Sequence, residues 1–134
     1  MTVGQAFQGG CLCEGVRYTV TGPLRDVLGC HCAQCRRTSG HHVAATSAAA
    51  ADLTLQRHEA LTWYRSSATA ERGFCRRCGA NLFWRQTAPG TDRISIMAGT
   101  LDAPTGLRMA GHIFVADKGD YYEINDGTPQ QPGW

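Results

Sequence analysis

The chain contains three cysteine clusters: Cys11-Leu-Cys13, Cys30-His-Cys32-Ala-Gln-Cys35 and Cys75-Arg-Arg-Cys78. The two outer pairs supply four thiolates, enough for one closed tetrahedral zinc site. The central cluster supplies three, which leaves a fourth coordination position for water or substrate. Closed sites are usually structural and open sites are usually catalytic. The pattern therefore predicts an enzyme whose small body is held together by metal.

Disulfide bonds and redox pairs are the alternatives for these cysteines. The chain has seven cysteines, an odd number that cannot all pair within one molecule. Residues 1–7 have no basic start and no long apolar core, so they predict no secretory signal. Clustered cysteines in a reducing compartment favour metal ligands, although a single C-x-x-C is also compatible with a redox pair at Cys32–Cys35 or Cys75–Cys78. We therefore expect a cytoplasmic zinc protein.

Length, composition and charge limit the possible partners. The 134 residues predict one domain, residues 1–134, with its core at about 7–117 and a loose tail at 127–134 rich in Pro, Gly and Gln. The formal charge is +2 with neutral cysteines. Seven thiolates and two zinc ions would change it by −3, to about −1, so the charge does not favour nucleic acid. No run approaches the roughly 18 apolar residues of a membrane span, and the oligomeric state is not predicted.

The hydrophobic pattern predicts a mainly β fold with minor helical turns. Alternating or short apolar runs predict strands at residues 16–21, 53–56, 61–64, 82–84, 94–97 and 112–115. Residues 33–38 favour a helical turn after the central cluster. Residues 44–51 are ambiguous, because alanine favours helix while the flanking residues suggest a strand.

The spacing of the cysteines leaves two ways to share metal. Cys30, Cys32 and Cys35 are close enough to hold one ion without help, and the outer pairs would then meet in the fold. The rival partition joins Cys75–Cys78 to two central cysteines and leaves Cys11–Cys13 without a role. We favour the first partition, with one site of four cysteines and one site of three. His31 is more readily a packing neighbour of the site than a ligand, because its side chain points away from those of Cys30 and Cys32 in extended backbone.

Five segments together resemble the glutathione-dependent formaldehyde-activating enzymes. They are residues 10–18, 30–40, 74–79, 99–104 and 112–115, which follow one another in the order of that family. The resemblance implies a single-domain β-tent of short antiparallel sheets stabilised by zinc. It implies a structural zinc on Cys11, Cys13, Cys75 and Cys78. It also implies a catalytic zinc on Cys30, Cys32 and Cys35.

The resemblance further implies a reaction between a small aldehyde and a thiol. The family joins formaldehyde to glutathione to give S-(hydroxymethyl)glutathione, as a carbon–sulfur lyase or synthase. Three thiolates make zinc a weak carbonyl activator, so we expect the metal chiefly to hold the substrate thiolate. The alternative is a non-catalytic binding module that uses the same zinc-stabilised scaffold.

Arginines and histidines near the clusters are further candidates. Arg36 and Arg37 could bind the carboxylates of a glutathione-like ligand by bidentate hydrogen bonds, or could be ordinary solvated side chains. His112 could move a proton, although its place at the start of an apolar run favours a hydrogen-bonded core histidine. His41-His42 departs from the smaller or apolar residues expected here in the family, and we expect this segment to lie near the open zinc.

Overall fold

Short strands form two sheets in one small domain, and the computed structural model describes residues 5–134. Within this range the strands are β1 Ala6–Gly10, β2 Arg17–Thr21, β3 Val27–Cys30, β4 Val43–Ala49, β5 Leu53–Arg57, β6 Leu61–Arg65, β7 Ala70–Cys75, β8 Asn81–Gln86, β9 Arg93–Met97 and β10 Met109–Ile113. The helix α1 spans Ala33–Ser39, and 3-10 turns lie at Ala50–Asp52, Ala98–Thr100 and Val115–Asp117. The mainly β fold class is confirmed.

The two sheets differ in size and share no strand. One sheet has the order β1-β2-β5, and the other has the order β10-β3-β4-β9-β8-β7-β6. The paired strands are antiparallel except β10 and β3, which run parallel. The strands that lead into the outer cysteine pairs, β1 and β7, therefore belong to different sheets.

The main hydrophobic core lies between the sheets. Tyr18 and Val20 of β2 are fully buried there, with Phe83 of β8 and Ile96 of β9. Because alternate residues of a strand face opposite sides, neighbouring positions on β8 and β9 face away from this core. Trp84 and Met97 occupy two of these positions and pack in a second, smaller cluster around the central cysteines.

The structure adds three strands to those that the sequence predicted. Every predicted strand segment overlaps a strand, and the ambiguous segment 44–51 is strand β4 followed by a 3-10 turn. The additional strands are β1, β3 and β7. Glycine weakens the strand signal in the first two, and β7 carries charged residues at two interior positions.

The segment 127–134 is better ordered than the loose tail that its composition predicted. The amide of His112 donates to the carbonyl of Pro129 at 2.9 Å, the amide of Gln131 returns a bond to His112 at 2.9 Å, and Phe114 donates to Gly133 at 3.0 Å. The cause is topological, since β10 is an edge strand whose outer backbone groups need partners. This pairing carries Trp134 to the cavity described below.

Tyr18 allows a test of the inter-sheet core. Its ring is fully buried, and its hydroxyl lies 2.7 Å from the hydroxyl of Thr100. We expect Tyr18→Phe to lower the free energy of unfolding by about 1 kcal/mol, because the half-buried Thr100 hydroxyl loses one of its two partners and keeps only the carbonyl of Met97 at 2.7 Å. Urea denaturation measures the change. Tyr64→Phe removes a hydroxyl from an exposed ring and is the matched control. Equal losses in the two variants would contradict the assignment.

Candidate functional site

The outer cysteines come together as one four-sulfur group. The Sγ atoms of Cys11, Cys13, Cys75 and Cys78 lie within 4.8 Å of one another. Both the Cys11–Cys13 and the Cys13–Cys75 sulfur distances are 3.7 Å, and all four thiols are free of disulfides. A tetrahedral zinc thiolate site needs sulfurs about 3.8 Å apart. The donor set and its spacing therefore fit zinc.

Two turns from different sheets build this group. Cys11 and Cys13 lie in the turn between β1 and β2, whereas Cys75 ends β7 and Cys78 lies in the turn that follows. Backbone amides point at the sulfurs: Val16 N is 3.2 Å from Cys11 Sγ, and Gly15 N is 3.4 Å from Cys13 Sγ. Such donors stabilise thiolates over thiols, as a metal site requires.

The central cysteines form a separate three-sulfur group. Cys30 ends β3, Cys32 precedes the first residue of α1 as its N-cap, and Cys35 is the buried residue of that helix. Their Sγ atoms lie within 4.8 Å of one another, and among residues 5–134 no other Cys, His, Asp or Glu joins the group. The amide of Cys35 donates to Cys32 Sγ at 3.4 Å. This donor set fits a zinc ion that keeps one position for another ligand.

A cavity of about 450 Å³ opens beside the three central cysteines, all of which line it. Most of its wall is apolar and includes Leu28, Val43, Trp84, Met97, Ile113 and Phe114. The charged side chains in the wall are Arg25 and Arg72, and no acidic residue lines it within the described part of the chain. The cavity is large enough for a small organic molecule, and its fixed charge is positive.

Arg72 is the residue of this site that the sequence analysis missed. It lies on β7 and is only 5% exposed, with its Nη2 3.7 Å from Cys35 Sγ. Hydrogen bonds from Cys30 and Cys32, together with the charge of Arg72, lower the pKa of Cys35, although burial opposes the shift. The sequence does place an arginine three residues before Cys75. That position indicates a role at the site only when residues 70–75 are recognised as a strand.

Hydrogen bonds of His31 and His112 lie apart from the cavity. His31 Nε2 is 2.9 Å from His112 Nδ1, His112 Nε2 is 2.7 Å from a carboxylate oxygen of Asp126, and His31 Nδ1 bonds to the hydroxyl of Tyr122. Because a carboxylate only accepts, His112 Nε2 is the donor to Asp126, and these contacts connect Tyr122, the two rings and Asp126 in one chain. Burial, followed by the charges of His42 and His112, lowers the pKa of His31 to about 4. His31 lies outside the sulfur group, and His112 is a hydrogen-bonded buried histidine.

The segment His41-His42 does not line the cavity itself, and its expected place near the open site stays a prediction. Val43 is the residue that lines the cavity. The ring of His42 stacks on His31 with centroids 4.4 Å apart. The hydroxyl of Tyr121 lies 2.6 Å from His41 Nδ1. These rings are not among the residues that line the cavity, and His31, on which His42 stacks, alternates with Cys30 and Cys32 along the chain.

Arg36 and Arg37 also lie away from the cavity wall. Arg36 Nε donates to the carbonyl of Asp117 at 3.0 Å, and Arg37 is exposed. Helix α1 presents Cys35 inward and these two arginines outward. Their binding of a glutathione-like ligand stays a prediction.

Comparisons with known proteins agree with this fold. Residues 6–117 match the model of the family described as glutathione-dependent formaldehyde-activating enzyme. An uncharacterized lyase of Schizosaccharomyces pombe is 26% identical over 122 residues, which cover 91% of this chain and 88% of the relative. A crystal structure of a Rhodobacter sphaeroides protein superposes with a TM-score of 0.61 at 23% identity, covering 92% of this chain and 98% of the other.

The two sheets and the two sulfur groups define a small, cysteine-rich β protein whose sulfur groups could each hold a metal ion. The chain belongs to the glutathione-dependent formaldehyde-activating enzyme family. Membership implies an enzyme whose substrates are a small thiol and an aldehyde. None of the helices in residues 5–134 has the length and apolarity needed to cross a membrane.

The two sulfur groups predict different responses to cysteine replacement. We expect up to two zinc ions per chain, measured by elemental analysis. Cys75→Ser removes a buried ligand that joins the two sheets, so we expect loss of folding or solubility, because structural zinc contributes directly to folding. We expect Cys35→Ser to lose one ion per chain and to keep the circular dichroism spectrum of the wild type. Well-folded protein without zinc but with disulfides in its mass spectrum would contradict both expectations.

His42 predicts acid sensitivity of the fold. Its Nδ1 is buried and has no hydrogen-bond partner among residues 5–134, and burial, with the charges of His41 and His112, lowers its pKa. The unfolded chain binds a proton at about pH 6.5 that the folded chain resists, so stability falls as the pH drops below that value. We expect His42→Phe to lose less stability than the wild type between pH 7.5 and pH 5.5 in urea denaturation.

Two controls isolate the contribution of His42. His58→Phe replaces an exposed histidine and should keep the wild-type pH dependence. Metal content is measured at both pH values, because acid also releases zinc from thiolates. An identical pH dependence in His42→Phe and the wild type, at equal metal content, would show that His42 does not resist protonation.

Proposed function

We propose that this protein is a zinc-dependent carbon–sulfur lyase or synthase that forms and breaks the adduct of a small aldehyde with a thiol such as glutathione. The reaction of the S-(hydroxymethyl)glutathione synthase type, with formaldehyde as the aldehyde, is the leading form of this proposal. The outer cysteines Cys11, Cys13, Cys75 and Cys78 would hold a structural zinc. The central cysteines Cys30, Cys32 and Cys35 would hold the catalytic one.

The observation that carries the proposal is the three-sulfur group on the wall of a cavity. A scaffold has no need for an incomplete ligand set, whereas a catalytic site needs an accessible position. The central group has three cysteines within 4.8 Å and borders a space of about 450 Å³. The outer group has four sulfurs and is not among the residues that line this space. The division into closed and open groups supports an enzyme.

Zinc at the central cysteines would supply a binding position for the substrate sulfur and favour its thiolate form at neutral pH. The protein side chains would exclude water and hold the reactants in position. Trp84, Met97 and Phe114 limit the water around the bound molecules. This matters because formaldehyde in water is largely hydrated, and only its carbonyl form accepts a sulfur nucleophile. Holding both reactants in one cavity also replaces a bimolecular encounter by an oriented one.

The remaining parts of the proposal rest on the sequence. Arg36 and Arg37 lie on the outer side of α1, so they could contact only the part of a thiol that extends out of the cavity. A cytoplasmic location follows from the expected reduced state of the seven thiols, all of which are free in the structure. Periplasmic enrichment with oxidised thiols would contradict that location.

Thiol binding and adduct exchange test the proposed function. With cobalt substituted for zinc, we expect glutathione to change the visible spectrum as a fourth sulfur joins the central site. S-methylglutathione has no thiol and should leave the spectrum unchanged. Exchange between formaldehyde and its glutathione adduct, followed by nuclear magnetic resonance, should exceed the uncatalysed rate. Cys32→Ser removes one of the three sulfurs and should abolish both effects while leaving the outer ion bound.

The outcomes separate the enzyme from a scaffold. No spectral change at millimolar glutathione, together with background exchange, would favour a non-catalytic module that uses the same fold. Thiol binding without faster formaldehyde exchange would instead indicate a different aldehyde. The second result keeps the reaction class and changes the substrate.

A further inference from the structure

Arg72 is a buried cation whose hydrogen-bonding capacity is mostly unused. Its side chain lines the cavity and is 5% exposed. Within residues 5–134, the guanidinium makes one hydrogen bond, from Nη2 to Cys35 Sγ at 3.7 Å. Its Nε is buried without a partner. An arginine cannot shed its charge and carries five N–H donors, so a buried guanidinium with one sulfur contact has unsatisfied donors.

The second arginine of the cavity is satisfied in a different way. Arg25 Nη2 donates to the carbonyl of Ala45 at 3.0 Å, and Arg25 Nε donates to the carbonyl of Asp26 at 3.1 Å. Among the described residues, Arg72 has no such carbonyl partner, and no carboxylate lines the cavity. The unsatisfied donors of Arg72 therefore favour a negatively charged group brought in by a ligand.

We propose that Arg72 is an anion-binding residue beside the central cysteines, and that it holds the negatively charged oxygen that forms when a thiolate adds to an aldehyde. This inference rests on the proposed function and adds to it the residue that stabilises the transition state. Preorganised donors at a developing oxyanion are often the largest single contribution to such reactions. Arg72 would act as a catalytic residue through contact with the substrate oxygen.

The proposed step conserves atoms and charge. A sulfur lone pair forms the C–S bond, and the carbonyl π electrons move to oxygen to give an alkoxide. That alkoxide accepts hydrogen bonds from Arg72, whose guanidinium keeps its own proton because arginine is not deprotonated in proteins. Water then protonates the oxygen, and this proton balances the one that the thiol released on becoming a thiolate. The net reaction adds one thiol to one aldehyde, and the reverse sequence breaks the C–S bond.

A purely structural role for Arg72 predicts different behaviour. As a counter-charge to the Cys35 thiolate, Arg72 would affect metal affinity but would not distinguish charged from neutral ligands. As an anion-binding residue, it would favour ligands with a negative oxygen near the sulfur. Mercaptoacetate has such an oxygen, and mercaptoacetamide has the same size and no charge. Comparing the two ligands separates the roles.

The experiment titrates both thiols into the cobalt-substituted protein. Each dissociation constant is calculated from the concentration of the thiolate form, which corrects for the different thiol pKa values of the two ligands. For the wild type, we expect mercaptoacetate to bind about tenfold or more tightly, the effect of a hydrogen bond to a charged group. Arg72→Gln should bring the ratio close to one. Arg72→Lys keeps the charge without the planar fork and should give an intermediate ratio. Arg25→Gln changes the other cavity arginine and should keep the wild-type preference.

Each outcome decides the inference. A wild-type ratio near one overturns it without any variant, which keeps the test valid even where Arg72→Gln fails to fold. An unchanged ratio in Arg72→Gln, or an equal loss in Arg25→Gln, overturns it as well. Binding of both thiols with no charge preference leaves the proposed function intact and removes only the role of Arg72. Failure of both thiols to change the cobalt spectrum overturns the proposed function and this inference together.

Discussion

The contact between the two sheets at four cysteine sulfurs is the constraint on which the rest of the structure depends. Cys13 comes from a turn of the small sheet and Cys75 from the end of a strand in the large sheet, yet their Sγ atoms are 3.7 Å apart. Two thiolates this close repel by about 4 kcal/mol in surroundings of intermediate dielectric constant. A divalent cation turns that repulsion into attraction. The same cation would fix the spacing of the sheets, and with it the core around Tyr18.

The central cysteines depend on this arrangement only indirectly. Cys30 ends β3, the second strand of the large sheet, so its position follows from pairing with β4 and β10 on either side. Arg72 reaches Cys35 from β7, the same strand that ends at Cys75. The outer group thus holds in place the strand that carries the cavity's buried cation. This shared strand links the fold-stabilising group physically to the chemistry of the central group.

Cysteine spacing predicted the central sulfur group, because ligands this close in sequence meet without help from the fold. The outer group was predicted as two such pairs that the fold has to bring together. The four-plus-three arrangement is what the structure shows, and residues 30–35 alone were sufficient to indicate the central group. Arg72 was not predictable, since its neighbours Glu71 and Gly73 hide the alternation of β7. The side of the sheet on which the His42 side chain lies was also not predictable from the sequence. It depends on the register of β4 against β3, and a shift of one residue would exchange His42 with Val43.

The two sides of the β3–α1 segment illustrate how one stretch of sequence serves two environments. On one side, three sulfurs and a guanidinium line a mostly apolar space, where charges interact strongly because little water screens them. On the other side, His31 joins His112 and Asp126 in a chain of hydrogen bonds that satisfies almost every ring nitrogen. Because His31 lies between Cys30 and Cys32 in the backbone, this chain resists rotation of the very residues that must hold the sulfurs. Rigidity on the histidine side therefore supports an accessible, incompletely filled ligand set on the cavity side.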